Sequence, residues 1–248
     1  MLKVLIVVED EQIAASSTTE RMVTALKQAI AAIATQPPLE TVQVVAAAAL
    51  SGLVQELAPD KHLWCPLTLN LPESLDFPGQ EVYRACRNVP DLRQWVKQKQ
   101  SIATGNGNLW LPVVLTAKGP LYGEVIGLAA EVSTKELSED LSLPREGSDT
   151  LPYQQPVHLS DVWRQPLYQL AHQLLQFLAA PPATYLLQFG LQEQGIVFDR
   201  LWPFPGAPAI ASLGVQTPDL FNCHWQCLTG KPIFDLTIIP PMASIKSV

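Results

Sequence analysis

The sequence predicts an α/β protein of two lobes, the first built on a parallel sheet and the second an α+β arrangement with antiparallel hairpins. Three observations carry this. A β-branched apolar run opens the chain and is followed by segments of helical period. Gly105-Asn106-Gly107-Asn108 is a strong turn signal that divides residues 1–104 from 109–248. After that turn, strand-like runs come in pairs joined by short connections.

Leu2 to Val8 is near-continuously apolar, the pattern of a strand buried on both faces of a parallel sheet, and Glu9-Asp10-Glu11 closes it. Ser16 to Thr19 can cap a helix through about Ala34, with Met22, Val23, Leu26, Ile30 and Ile33 at helical spacing. Thr41 to Ala48 reads as a second strand, Leu50 to Leu57 as a short helix and His62 to Leu71 as a third strand. Helices are expected over Gln80 to Arg87 and, capped by Asp91, over Leu92 to Ile102. This β-α-β-α opening makes the first lobe Rossmann-like.

Beyond the turn, Leu109 to Thr116 and Glu124 to Val132 read as a hairpin around the residues between them. Ser133 to Pro156 reads as a polar surface excursion. Asp161 can cap a helix to about Leu178, with Pro166 in its first two turns. Thr184 to Leu191 and Gly195 to Leu201 form a second hairpin, and Thr217-Pro218 opens a last helix that Gly230 ends. The 22 prolines against 13 glycines concentrate here, favouring short elements with rigid connections.

Composition excludes several classes. The 248 residues are 48% apolar, too apolar for disorder, and 16 Lys+Arg against 23 Asp+Glu give a formal charge of −7. Nothing suggests the broad basic face a nucleic-acid binder needs. No stretch of about 18 apolar residues exists to span a bilayer. MLKVLIVVEDEQ does not read as a secretory signal, and Cys65, Cys86, Cys223 and Cys227 are too scattered for a disulfide scaffold. A cytoplasmic protein with reduced thiols is expected.

Within the second lobe, Leu187-Gln188-Phe189-Gly190 is followed by Asp199-Arg200-Leu201-Trp202-Pro203-Phe204-Pro205. Asp219 to His224 then leads to Gly230-Lys231-Pro232-Ile233. In type and spacing at Phe189, Pro203, Pro205, Phe221, His224, Gly230 and Pro232, residues 109–233 resemble the C-terminal half of the ATP-grasp fold. Within that fold they are similar to the carboxyaminoimidazole ribonucleotide synthases of purine biosynthesis. The resemblance implies ligases that hold magnesium-ATP with an acid on the first strand and an acid or amide pair on the second. Magnesium requires such hard oxygen ligands.

Here those positions are Gln188 and Asp199-Arg200. Gln is a weak metal ligand and Arg a fixed cation that repels the ion. The family's Arg-Pro-His-Asn-Ser segment, which serves phosphate and substrate, is Phe204-Pro205-Gly206-Ala207-Pro208, without charge. No glycine-rich phosphate-covering loop with lysines precedes residue 109.

Residues 1–87 also resemble a response-regulator receiver domain, through Leu5 to Glu11 and Leu67-Thr68-Leu69-Asn70-Leu71-Pro72. The resemblance puts the phosphoacceptor aspartate at Thr68, which cannot form an acyl phosphate. A true pseudo-receiver requires a five-stranded parallel sheet with Pro112 to Lys118 as its fourth strand, and so no antiparallel hairpin at Ala117-Lys118-Gly119.

Other constellations have ordinary readings. Cys223 and Cys227 at i, i+4 could supply two zinc ligands, but no second Cys/His pair is near, and buried free cysteines account for the spacing. Glu9-Asp10-Glu11 solvates a loop or binds a cation. His172 fits a helix flank better than a catalytic site. Phe198 to Pro208, with Trp202, is either a core-lining connection or, with Trp163 and Trp225, a docking surface.

The reading is a non-catalytic ATP-grasp-like protein that binds a protein partner or small ligand. Gln188, Asp199, Arg200, Trp202, Phe204 and His224 are its candidate contacts; no catalytic residue, metal or cofactor is expected. The alternatives are an ATP-dependent ligase or carboxylase related to purine biosynthesis, and a phosphorylation-independent pseudo-receiver module.

Overall fold

The computed structural model describes residues 2–9, 17–33, 39–53, 62–129, 152–193 and 195–240. Strand β1 (Leu2–Val8) lies between β2 (Leu39–Ala46) and β3 (His62–Pro66) in a three-stranded parallel sheet. As the central strand it is covered on both faces, and Val4 to Val8 are all buried. Helix α1 (Ser17–Ala32) turns Met22, Leu26 and Ile30 inward as the period predicts, with Ala25 and Ala29 buried beside them and Val23 and Ile33 only partly buried. Helix α2 (Ala47–Leu53) follows β2 directly, three residues ahead of the expected start; Val54 to Leu57 lie outside the described residues.

The third strand is shorter than its apolar run predicts. Its partner β1 ends at Val8, so the ladder stops after Val7↔Pro66 with Leu67 N–H donating to Val7 O. Leu67, Leu71, Leu75 and Phe77 are buried in irregular backbone beyond it. An apolar run reports burial, and here burial outlasts the strand.

Helices α3 (Gln80–Arg87) and α4 (Val89–Gln100) come next. Asn88 caps α4, its side chain accepting from Asp91 N–H, while Asp91 sits in the first turn. This corrects the expected Asp91 cap.

The second sheet comprises β4 (Ala103–Thr104), β5 (Leu109–Thr116), β6 (Gly119–Tyr122), β7 (Val125–Leu128), β8 (Tyr153–Val157), β9 (Ala183–Gln192) and β10 (Gly195–Trp202). Its order is β4-β10-β9-β5-β7-β8, with β6 also on β5. The expected first hairpin is revised. A two-residue turn at Ala117-Lys118 joins β5 to β6, and β7 returns to pair with the start of β5. Thr116 Oγ1 fixes that turn, donating to Gly119 O and accepting from Lys118 N–H, and Gly119 supplies the required φ of 127°. This antiparallel pairing, and the three strands of the parallel sheet among the described residues, overturn the pseudo-receiver alternative.

Strand β8 begins in the segment expected to be a surface excursion; residues 133–151 of that segment, and with them the end of the expected strand to Val132, lie outside the described residues. Ser160, not Asp161, occupies the N-cap of helix α5 (Asp161–Phe177). Thr217 belongs to a two-stranded ladder of β11 (Gln216–Thr217) with β12 (Thr237–Ile238). The cap of helix α6 (Leu220–Leu228) passes instead to Asp219, whose carboxylate accepts from Phe221 and Asn222 N–H, both at 2.9 Å.

The second sheet has two covered faces. Leu111, Val113, Tyr185, Leu187, Phe189, Phe198 and Leu201 pack under α3, α4 and α5. On the opposite face Trp110, Val114, Ile126 and Leu186 join the parallel lobe and α6 in one continuous core, with α1 against α6. Among the described residues no helix is long and apolar enough to cross a membrane.

A candidate ligand cleft between the two sheets

Strand β10 sets the site. Ile196 and Phe198 point to the helices, so strict alternation would send Arg200 there as well. The register instead passes from Phe198↔Phe189 to Arg200↔Gln188, leaving Asp199 as an extra residue, a β-bulge. The bulge shifts the phase by one: Leu201 enters the helix-side core, and Arg200 and Trp202 face the parallel lobe.

Three donors hold the bulge. The buried Asp199 carboxylate accepts from Arg93 Nη2 at 2.6 Å, from Gly107 N–H at 2.9 Å and from Arg200 Nε at 3.3 Å. Arg93 Nε also donates to Asp199 O. Gly107 crosses close over β9, where a Cβ would lie 2.2 Å from the Phe189 carbonyl carbon, so only glycine fits. Its carbonyl accepts from Gln188 Nε2 at 2.6 Å, and Gln188 Oε1 accepts from Trp202 Nε1 at 3.0 Å. Both polar ends of the Gln188 amide are thus engaged.

The space these residues face is a cleft of about 660 Å³. Its near wall is Trp110, Tyr153, Gln188, Arg200 and Trp202. Its far wall is the C-terminal edge of the parallel sheet, with Glu9, Thr68 and Asn70, and the first turns of α1, with Thr18, Thr19 and Met22; Arg87 also lines it. Open α/β sheets commonly bind ligands at this carboxyl edge. Asn70 bridges the edge, donating from Nδ2 to Glu9 Oε1 at 2.6 Å and from its N–H to Thr68 Oγ1. Asp10 and Glu11 lie outside the described residues.

Aromatic rings join the two sheets under the cleft. Tyr83 Oη donates toward the carbonyls of Pro66 and Pro203, and its ring stacks on Phe204 at 5.9 Å. Phe204 meets Trp202 edge-on at 6.0 Å, and Trp110 meets Tyr153 likewise at 5.4 Å.

Of the six expected contact residues, the cleft brings together Gln188, Arg200, Trp202 and Phe204. Asp199 lies beneath it as the bulge anchor. His224 is buried on α6, its Nδ1 accepting from Thr184 N–H at 3.2 Å; burial pushes its pKa down to about 3, so it is neutral at pH 7. Leu201, Pro203, Phe204 and Pro205 are buried and Trp202 only partly exposed, as a core-lining connection requires; Trp225 is buried too. His172 sits on the exposed side of α5.

All four cysteines are buried free thiols, each pushed by burial away from ionisation, Cys86 and Cys227 up to about 12. Among the described residues no three His, Cys, Asp or Glu side chains are grouped to hold a metal. Sequence reasoning missed Arg87, Arg93, Gly107, Trp110 and Tyr153. Gly107 alone carried a signal, in the turn tetrapeptide. A second depression of about 720 Å³ surrounds Glu73, Arg84, Arg87, Asn88 and Pro90. It is larger but open and without aromatic residues, and Arg84 is already engaged by Glu81 and the Glu73 carbonyl.

No protein-family model and no curated protein matches the sequence. Solved structures do match in shape. Glycinamide-RNase-transformylase T from Mycobacterium tuberculosis superposes with a TM-score of 0.64 at 14% identity, over 96% of this chain and 82% of that one. N5-carboxyaminoimidazole ribonucleotide synthetase from Thermotoga maritima gives 0.62 at 10% identity, over 95% and 78%. The phosphoribosylaminoimidazole carboxylase ATPase subunit from Aquifex aeolicus gives 0.62 at 9% identity, over 96% and 79%. With its parallel sheet followed by a larger, mainly antiparallel one, the chain has an ATP-grasp-like α/β fold.

Proposed function

We propose that this protein is a non-catalytic member of the ATP-grasp-like fold that binds a small ligand in the cleft between its two sheets. The observation that carries the reading is the paired position Gln188↔Arg200. The resemblance puts an acid at Gln188 and an acid or amide pair at Asp199-Arg200, and toward the cleft the chain instead presents a neutral amide and a guanidinium. The amide cannot swing toward a metal without giving up both its hydrogen bonds, to Gly107 O and from Trp202 Nε1. A cation beside it raises the energy of a divalent ion further. Asp199, the carboxylate beside Arg200, lies beneath the cleft in the bulge and is paired with Arg93.

Structural neighbours include synthetases solved with ADP, which keeps an ATP-dependent ligase as the rival reading. Phosphate release from ATP in excess magnesium separates the two. The purified protein should give no turnover above the buffer rate, and Gln188→Ala should change nothing. Saturable magnesium-dependent turnover that Gln188→Ala abolishes would establish the ligase reading.

A further inference from the structure

Arg200 has charge to spare. One carboxylate, Asp199, serves two guanidinium groups, and Arg93 takes the shorter share, 2.6 Å against 3.3 Å. The bulge anchor therefore carries a net positive charge, and it emerges on the Arg200 side. Arg200 uses only Nε on Asp199; among the described residues its two terminal nitrogens have no hydrogen-bond partner, and its side chain is 35% exposed. Its guanidinium stands 5.5 Å from the Trp202 ring centroid, which limits its orientation. The Trp202 ring is itself held by Nε1 donating to Gln188.

Arg87 adds a second cation to the same cleft. It spends Nη2 on Leu71 O and makes no ion pair among the described residues. The opposing acid, Glu9, is held by Asn70 at 2.6 Å. Beside these charges stand flat apolar surfaces, Trp202 and the Trp110–Tyr153 pair. A cation fork next to fixed aromatic walls suits one ligand chemistry better than a neutral ring or a bare anion.

We propose that the cleft takes an aromatic oxyanion, a planar ring bearing a carboxylate or phosphate, which Arg200 grips directly with no divalent cation between them. This rests on the non-catalytic reading of the cleft and names its ligand class. The ring lies against Trp202 and Trp110, and the oxyanion bridges the terminal nitrogens of Arg200 with Arg87 in support.

Calorimetric titration of the full chain in EDTA tests this with benzoate, phenyl phosphate, inorganic phosphate and benzyl alcohol. Benzoate or phenyl phosphate should bind saturably, about tenfold or more tighter than inorganic phosphate and benzyl alcohol; which of the two wins identifies the oxyanion. Arg200→Gln should weaken that probe about tenfold or more in protein that remains folded at the titration temperature. Arg200→Lys should fall between, since it keeps the charge and loses the fork. Equal affinity in wild type and Arg200→Gln, a magnesium requirement for binding, or no saturation by either aromatic anion would overturn the proposal. Failure here without ATP turnover leaves the non-catalytic reading standing, whereas magnesium-dependent turnover would remove that reading itself.

Discussion

Two residues show how strongly this fold depends on single atoms. His224 is neutral and buried, with its pKa pushed down to about 3 from the ordinary 6.5. Between those values the unfolded chain binds a proton that the folded protein refuses. Stability therefore falls as pH drops from 6.5 toward 3, by about 1.4 kcal/mol per pH unit from this group, and is flat above 6.5. Denaturant titrations across that window should show a shallower acid loss in His224→Asn, whose amide oxygen takes the place of Nδ1 as acceptor for Thr184 N–H. Identical slopes in the two proteins would show that His224 is accessible to protons in the folded state. Gly107 is the steric counterpart. Because a Cβ would sit 2.2 Å from the Phe189 carbonyl carbon, Gly107→Ala must displace backbone and should cost at least ~2 kcal/mol, measured by chemical denaturation. A neutral substitution would mean that residues 105–108 lift off β9 at little cost.

At the scale of elements, the bulge in β10 converts an ordinary strand into one wall of a cleft. Asp199→Asn removes the charge that holds Arg93 and Arg200 together and should cost ~2–4 kcal/mol of stability, read by equilibrium unfolding. If the bulge relaxes, Trp202 leaves its hydrogen bond with Gln188 and its fluorescence should shift with the loss of stability. Helix α6 makes a simpler case. Phe221 is fully buried beneath the sheet, so Phe221→Ala should cost ~3–5 kcal/mol.

These elements also show what the sequence could reveal. Strand β1 and helix α1 were legible because continuous apolarity and helical period are local signals, and the β9–β10 hairpin was legible from paired strand patterns. The bulge was not, since nothing in Phe198-Asp199-Arg200 announces that two residues will face one across the ladder. The Asp219 cap was hidden behind the equally good Thr217-Pro218 signal. The true extent of β3 depended on where β1, its partner far earlier in the chain, ended.

For the whole molecule, the cleft exists because one aromatic core continues from the parallel sheet to the antiparallel one through Tyr83, Phe204 and Trp110. The two sheets present walls of different character. Among the described residues the parallel edge offers hydroxyls, Asn70 and the engaged Glu9, and the antiparallel face offers rings, an amide and a guanidinium. Four of the six contact residues expected from the sequence line that cleft, because the ATP-grasp resemblance drew them from two neighbouring strands and the segment that follows. Arg87, Arg93 and Trp110 escaped because their roles arise only when distant elements meet. Manganese paramagnetic resonance tests most directly whether this cleft works without a metal. Titrating protein into manganese-ADP should leave the spectrum of the free complex unchanged, whereas a protein-bound manganese signal growing to one ion per chain would contradict the metal-free reading of Gln188 and Arg200.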